Sequence, residues 1–117
     1  MPVDKKINYV EFPANDMDAV ERFYKALFNW KFTPYGEEYR AFTDGHLDGG
    51  FYKSDKRASY SDGAALIVFY VEDLEAAEAA TRTNGGTIQK EIFAFPGGRR
   101  FHFLDPHGNE LAVWSDK

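Results

Sequence analysis

The sequence predicts an α+β fold made of two tandem copies of a β-α-β-β-β unit. Three observations carry this reading. An internal repeat runs at an offset of 57 residues, each copy has a helix N-cap followed by a helical pattern, and three short strand patterns follow each helix. The repeat aligns residues 7–21 with residues 64–78, where Phe12/Phe69, Asp16/Asp73, Ala19/Ala76 and Glu21/Glu78 are identical. Twice the offset nearly spans the 117 residues.

Module one is expected over about residues 6–54, a polar linker over about 55–63 and module two over about 64–115. The first strand lies around residues 9–12, an apolar run interrupted by Glu11. Asn15 or Asp16 then caps a helix, because a short side-chain oxygen accepts from the free N–H groups of a first turn. Met17, Val20, Phe23, Tyr24, Leu27 and Phe28 recur at helical spacing and give that helix one apolar face. Strands are expected at about 31–35, 38–43 and 46–53, with Asp44-Gly45 as a hairpin turn. Module two opens on residues 65–71, a continuous β-favouring apolar run that predicts a strand covered on both faces. Asp73 caps an alanine-rich helix that stops at Asn84-Gly85-Gly86, a left-handed C-cap signal. The last strands fall at about 87–93, 99–104 and 110–114, separated by Pro96-Gly97-Gly98 and Asp105-Pro106-His107-Gly108.

Composition excludes several function classes. There is no cysteine, which removes disulfides, thiolate metal sites and cysteine nucleophiles. A net charge of −5 and a pI near 5.1 speak against a nucleic-acid partner and mildly favour a neutral or cationic ligand. No apolar run approaches the roughly 18–20 residues of a membrane helix, and no apolar segment behind the N-terminus resembles a signal peptide. The expectation is a cytoplasmic protein without membrane contacts. The 11 Phe, 7 Tyr and 2 Trp imply a bulky core or a ring-lined cavity. The chain has no glycine-rich phosphate loop, no G-x-S-x-G and no nucleotide fingerprint.

Local motifs add a family resemblance. Ile7-Asn-Tyr-Val-Glu-Phe-Pro, then Asp16, then Arg22-Phe-Tyr-Lys-Ala-Leu-Phe-Asn-Trp30 resembles the strand, D-x-x-x-A-x-x-F-Y and G-W/G-F opening of the vicinal oxygen chelate superfamily, with Asn29 where a glycine is usual. That superfamily includes glyoxalase I, bleomycin-resistance proteins and extradiol dioxygenases. Asn84-Gly85-Gly86 is similar to its post-helix turn, and Phe103-Leu-Asp-Pro-His-Gly-Asn-Glu-Leu111 to its closing F-x-D-P-x-G-N hairpin. The resemblance covers residues 6–115 and is nearest to small glyoxalase-like proteins of unassigned activity. It implies that each module curls its four strands into a U, that the eight strands form a curved sheet around a cleft with the helices outside, and that two chains pair as a homodimer.

Metal-dependent members of the family chelate a divalent ion with four side chains, usually His, Gln or Glu. By resemblance those positions fall on Tyr9, Gly50, Leu66 and Ala112, with Gly50 uncertain in register by a residue or two. Leucine and alanine carry no donor atom, so no metal and no other cofactor is expected. His46 and His107 fall at turns, and His102 lies in a strand, where a structural hydrogen bond is the simpler role.

Strand alternation places Glu11 on the face of Tyr9, Tyr70 on that of Leu66, Glu110 and Trp114 on that of Ala112, and Asp48 and Tyr52 on that of Gly50. The family's pocket-lining positions in the preceding strand fall on Arg100 and His102. The expected ligand-binding residues are Tyr9, Trp30, Tyr52, Tyr70, Arg100 and Trp114, with Trp30 closing one end. Glu11 and His102, one from each module, are the candidate catalytic acid/base pair. Structural alternatives are an ion pair between Glu11 and Arg100, and a dimer-interface role for Trp114. The leading reading is a glyoxalase-like protein that binds a small organic molecule in a metal-free, aromatic-lined cleft. Its alternatives are sequestration of a bleomycin-type drug, a metal-independent isomerase or lyase using Glu11 and His102, and a metal-dependent glyoxalase I or dioxygenase with ligands such as Asp48, Glu11 or His102. Whether the chain is an enzyme stays open between these.

Overall fold

Asp16 and Asp73, aligned by the repeat, cap the two helices in the same way. Asp16 Oδ1 accepts from the Ala19 N–H at 3.1 Å and Asp73 Oδ1 from the Ala76 N–H at 3.0 Å. In this computed structural model, which describes residues 2–117, α1 runs Met17–Phe28 and α2 runs Leu74–Thr83. The cap of α1 is thus Asp16 and not Asn15, whose side-chain amide bonds Asp55 instead. Asn29 ends α1 with φ 57°, the left-handed region that asparagine tolerates better than other residues with a side chain.

The strands of module one are β1 Tyr9–Ala14, β2 Lys31–Pro34, β3 Tyr39–Thr43 and β4 Asp48–Lys53. Those of module two are β5 Val68–Tyr70, β6 Thr87–Phe95, β7 Gly98–Leu104 and β8 Glu110–Ser115. The orders are β1-β4-β3-β2 and β5-β8-β7-β6. In each module the opening strand lies parallel to the last, and the remaining pairs are antiparallel. The α+β class and the doubled β-α-β-β-β order are as predicted. The eight strands hydrogen-bond as two four-stranded sheets, not as one closed ladder.

Register settles a point the sequence leaves loose. Glu11 lies opposite Gly50 and Val68 opposite Ala112. Glu11 and Val68 are equivalents at the 57-residue offset, so Gly50 is the true counterpart of Ala112. β5 corrects an expectation. Its run is not covered on both faces: Ile67, Phe69 and Val71 pack on the core, while Val68 and Tyr70 stay 42% and 46% exposed.

One core spans both modules. Phe12, Phe42 and Phe51 of the first sheet and Phe101, Phe103, Leu111 and Val113 of the second bury together with Val20, Phe23 and Tyr24 of α1 and Leu74 of α2. α1 reaches into module two, with Phe28 stacked on Phe69 at 4.0 Å and Phe23 against Phe103 at 5.8 Å. A polar stitch reinforces this packing. Tyr24 Oη donates to Asp105 Oδ2 at 2.9 Å, and Asn109 Nδ2 donates to the Pro13 carbonyl at 2.9 Å. The linker is also tied down. The Ala58 N–H donates to Asn109 Oδ1, the Ala58 carbonyl accepts from the Glu110 N–H, and residues Tyr60–Asp62 form one 3-10 turn. No described helix is long and apolar enough to cross a membrane.

Candidate functional site

Alternation along the strands divides each sheet into a core face and a helix-free face. Phe12, Phe42, Phe51, Phe101, Phe103 and Val113 point to the core. Their strand neighbours Tyr9, Glu11, Tyr39 and Tyr52, and Arg100, His102, Glu110 and Trp114, point the other way.

On module one the polar centre is a chain of hydroxyls ending on a carboxylate. Tyr39 Oη donates to Glu11 Oε2 at 2.8 Å and lies 2.5 Å from Tyr9 Oη. Gly50 makes this possible, because a Cβ there would overlap the Tyr39 hydroxyl and Cζ. Burial, and then the bonds to Tyr9 and Glu11, hold the Tyr39 phenol well above the usual range. A hollow of about 510 Å³ beside it is lined by Tyr9, Lys31, Tyr35, Thr43 and Asp48. A groove of about 340 Å³ runs between Glu11, Pro13 and Tyr52 on one side and Arg57, Ala58 and Ile67 on the other. A further hollow of about 600 Å³ lies at the end of this sheet, between Val3, Ile7, His46 and Leu47.

Module two presents two cross-strand rows. Tyr70, Trp114, Arg100 and Phe93 form one, and Val68, Ala112, His102 and Lys90 the next. His102 is 2% exposed, its Nδ1 is 2.9 Å from Glu110 Oε2, and its Nε2 is buried without a partner. The rings of Tyr60 and Phe93 flank it at 5.6 and 6.0 Å. Tyr70 meets Trp114 edge-on at 5.2 Å and donates its hydroxyl to Asp116 at 2.7 Å. That bond, ahead of burial, raises the Tyr70 phenol. The linker borders a hollow of about 540 Å³ with Arg57, Ser59, Gln89, Leu104 and Glu110.

The sequence-predicted residues fall into three groups. Tyr9, Glu11 and Tyr52 come together on module one, and Tyr70, Arg100, His102 and Trp114 on module two. Glu11 and His102 do not bond to each other, since Tyr39 holds one and Glu110 the other. Glu11 makes no ion pair with Arg100, whose guanidinium lies over Phe93 and Phe95. Trp30 is on neither face. It is 4% exposed in the core, stacked on Phe42 at 4.0 Å and Tyr24 at 4.4 Å. Tyr39, Tyr60 and Phe93 escaped the sequence reading. Parity with Gly50 across a hairpin could have pointed to Tyr39, but no local motif marks Tyr60 or Phe93.

Comparison with known proteins agrees with this architecture. The family model described as the Glyoxalase/Bleomycin resistance protein/Dioxygenase superfamily matches residues 6–113. The chain belongs to that superfamily. Among solved structures similar to this superfamily member is a genomically encoded fosfomycin resistance protein from Listeria monocytogenes. Its TM-score is 0.79 at 14% identity, covering 97% of this chain and 94% of that one. A glyoxalase-related enzyme from Fulvimarina pelagi matches at TM-score 0.77 and 15% identity, over 95% of this chain and 88% of that one. A lactoylglutathione lyase from Agrobacterium tumefaciens matches at 0.71 and 18%, over 97% and 96%. Identities this low show the shared fold alone. No curated protein matches the chain in sequence.

The superfamily fold raises the question of a chelated metal, and the donor chemistry answers it. At the four positions that the resemblance implies, Leu66 and Ala112 offer no donor, and the room above Gly50 is filled by the Tyr39 phenol. Tyr9 has its hydroxyl on Tyr39. No cluster of three or more His, Asp or Glu side chains suited to a metal occurs among the described residues. These residues do not fit the group.

Proposed function

We propose that this superfamily member binds a small organic molecule on its helix-free sheet faces without a metal or other cofactor. One observation carries the reading. Tyr9, Tyr52, Val68 and Tyr70, the large apolar strand residues left 40–46% exposed, all stand on the helix-free faces, around the polar groups Glu11, Arg100 and His102. Aromatic walls with few polar groups are the usual make-up of a ligand site. A second copy of the chain is the partner that would close these faces, giving a cytoplasmic homodimer. Sequestration of a drug of the bleomycin type needs only such a cavity.

A second reading rests on the His102–Glu110 pair. A carboxylate on Nδ1 orients the ring and leaves Nε2 to take up a proton, so acid/base chemistry of an isomerase or lyase would run through His102. In this geometry Glu110, and not Glu11, is the partner of His102. The test is a thermal-shift screen of neutral, cationic and anionic small molecules on the full chain, followed by calorimetric titration. A ligand at 100 times its Kd raises stability by about 2.7 kcal/mol. Saturable stabilisation that is weakened by Trp114→Ala supports the reading. A screen without a stabilising compound, or one-to-one transition metal in protein purified without a metal-affinity tag, overturns it.

A further inference from the structure

Arg100 is a half-buried cation without a carboxylate. Arg40 pairs with Asp18 and Glu21, Arg82 with Glu78 and Glu91, and Arg99 with Glu75, while Arg22 and Arg57, also without an ion pair, are exposed to solvent. Arg100 makes no ion pair among the described residues, in a chain with 19 acidic side chains. Its Cζ lies 5.4 and 5.7 Å from the ring centroids of Phe93 and Phe95, and its Nε is buried with no acceptor. One row away on the same face, His102 Nε2 is another buried and unpartnered polar atom; the third among the described residues, Arg40 Nε, is in module one on a guanidinium already paired with Asp18 and Glu21. Two residues along a strand separate these rows by about 6.6–6.8 Å. Buried polar atoms are nearly always satisfied, so two orphans on one wall point to a group that meets both.

The local charge selects that group. The two carboxylates near this face are engaged, Glu110 by His102 and Asp116 by Tyr70, while Lys90 and Arg100 both lie over the Phe93 ring. Arg100 is thus the half-buried cation of this face left without a counter-charge, although the chain carries −5. We propose that the helix-free face of module two binds a small aromatic carboxylate with a second oxygen close to the acid group. The planar guanidinium of Arg100 takes the carboxylate through two parallel N–H bonds. Phe93, Phe95, Trp114 and Tyr70 hold the ring. His102 Nε2 meets the second oxygen, with the ring orientation set by Glu110. The proposal rests on the small-molecule reading and narrows it. It also reverses the preference that bulk charge alone expresses, because a ligand at a partly buried face responds to the nearest charges.

Salicylate, benzoate, benzylamine and benzyl alcohol are titrated into the isotope-labelled protein while the Trp114 indole and His102 imidazole resonances are followed. Both acids shift these resonances saturably, salicylate at lower concentration than benzoate, and the amine and alcohol do not. Arg100→Gln weakens salicylate about tenfold or more, and Arg100→Lys recovers only part of the loss because an ammonium lacks the fork. The wild-type titration decides the matter even if a variant fails to fold. Shifts from the amine or alcohol but not from the acids overturn the carboxylate proposal and leave the small-molecule reading standing. Acid-induced shifts confined to other residues, or an unchanged affinity in Arg100→Gln, overturn it as well. If no probe moves any resonance and the broader screen is also empty, both fall.

Discussion

Tyr24→Phe removes one oxygen from the seam between the modules. Tyr24 is fully buried on α1, and its hydroxyl donates to Asp105 Oδ2 at 2.9 Å in the closing turn of module two. Its ring stacks on Trp30 at 4.4 Å, and phenylalanine keeps that contact. Asp105 is not orphaned by the change. Asn109 Nδ2 still donates to the same oxygen at 3.1 Å, and the N–H groups of His107, Gly108 and Asn109 donate to the other. The loss is thus one hydrogen bond to an acidic acceptor, about 1.5–3 kcal/mol. For a domain near this size each kcal/mol moves the thermal midpoint by roughly 4–8 °C, so Tm falls by about 6–24 °C. Urea unfolding at pH 7, with the slope m compared between the two proteins, measures the loss directly. A change under about 0.5 kcal/mol at unchanged m would refute the reasoning, because the bond would then merely replace one to water. A lower m would show the modules unfolding separately.

Two further predictions concern the phenols. Burial first, and then contact with Asp105, holds Tyr24 well above its ordinary pKa of 10.0, and Tyr39 is raised in the same direction. The folded chain therefore binds these protons more tightly than the unfolded chain. That contribution to stability is complete below pH 10 and is lost as pH rises beyond it. Absorbance near 295 nm should show some of the 7 tyrosines ionising only with unfolding; a single native-state titration of all of them would contradict this. Gly50→Ala should expel the Tyr39 ring, since the new Cβ overlaps it while the backbone needs no unusual φ. The expected cost is about 1–3 kcal/mol, with one phenol moved to earlier ionisation. Unchanged stability and an unchanged alkaline profile would mean that Tyr39 does not depend on that gap.

Much of the frame was legible from local chemistry. The caps at Asp16 and Asp73, the apolar stripe of α1 and the turn at Asp105-Pro106-His107-Gly108 each depend on residues a few positions apart. Strand parity was equally legible, because the period of two is a property of the backbone. It placed Tyr9, Glu11 and Tyr52 on one face, and Arg100, His102 and Trp114 on another. The missing donors at Leu66 and Ala112 follow from side-chain identity and need no coordinates.

The partners did not follow. Glu11 meets Tyr39, 28 residues away, through the gap above Gly50, and that meeting depends on the register of β1, β4 and β3 together. His102 turns to Glu110 in its own hairpin, leaving the Glu11–His102 pair unformed. Trp30 stands between a helix end and a strand start, where neither period assigns a face; packing against Tyr24 and Phe42 sent it inward. The sequence by itself therefore determined the doubled unit, its caps and its strand faces, all set by short-range sterics and hydrogen bonding. Tertiary structure decided which polar groups meet and which stay alone. Those outcomes depend on inter-strand register and on how far each side chain can reach across the sheet, quantities that no local window contains.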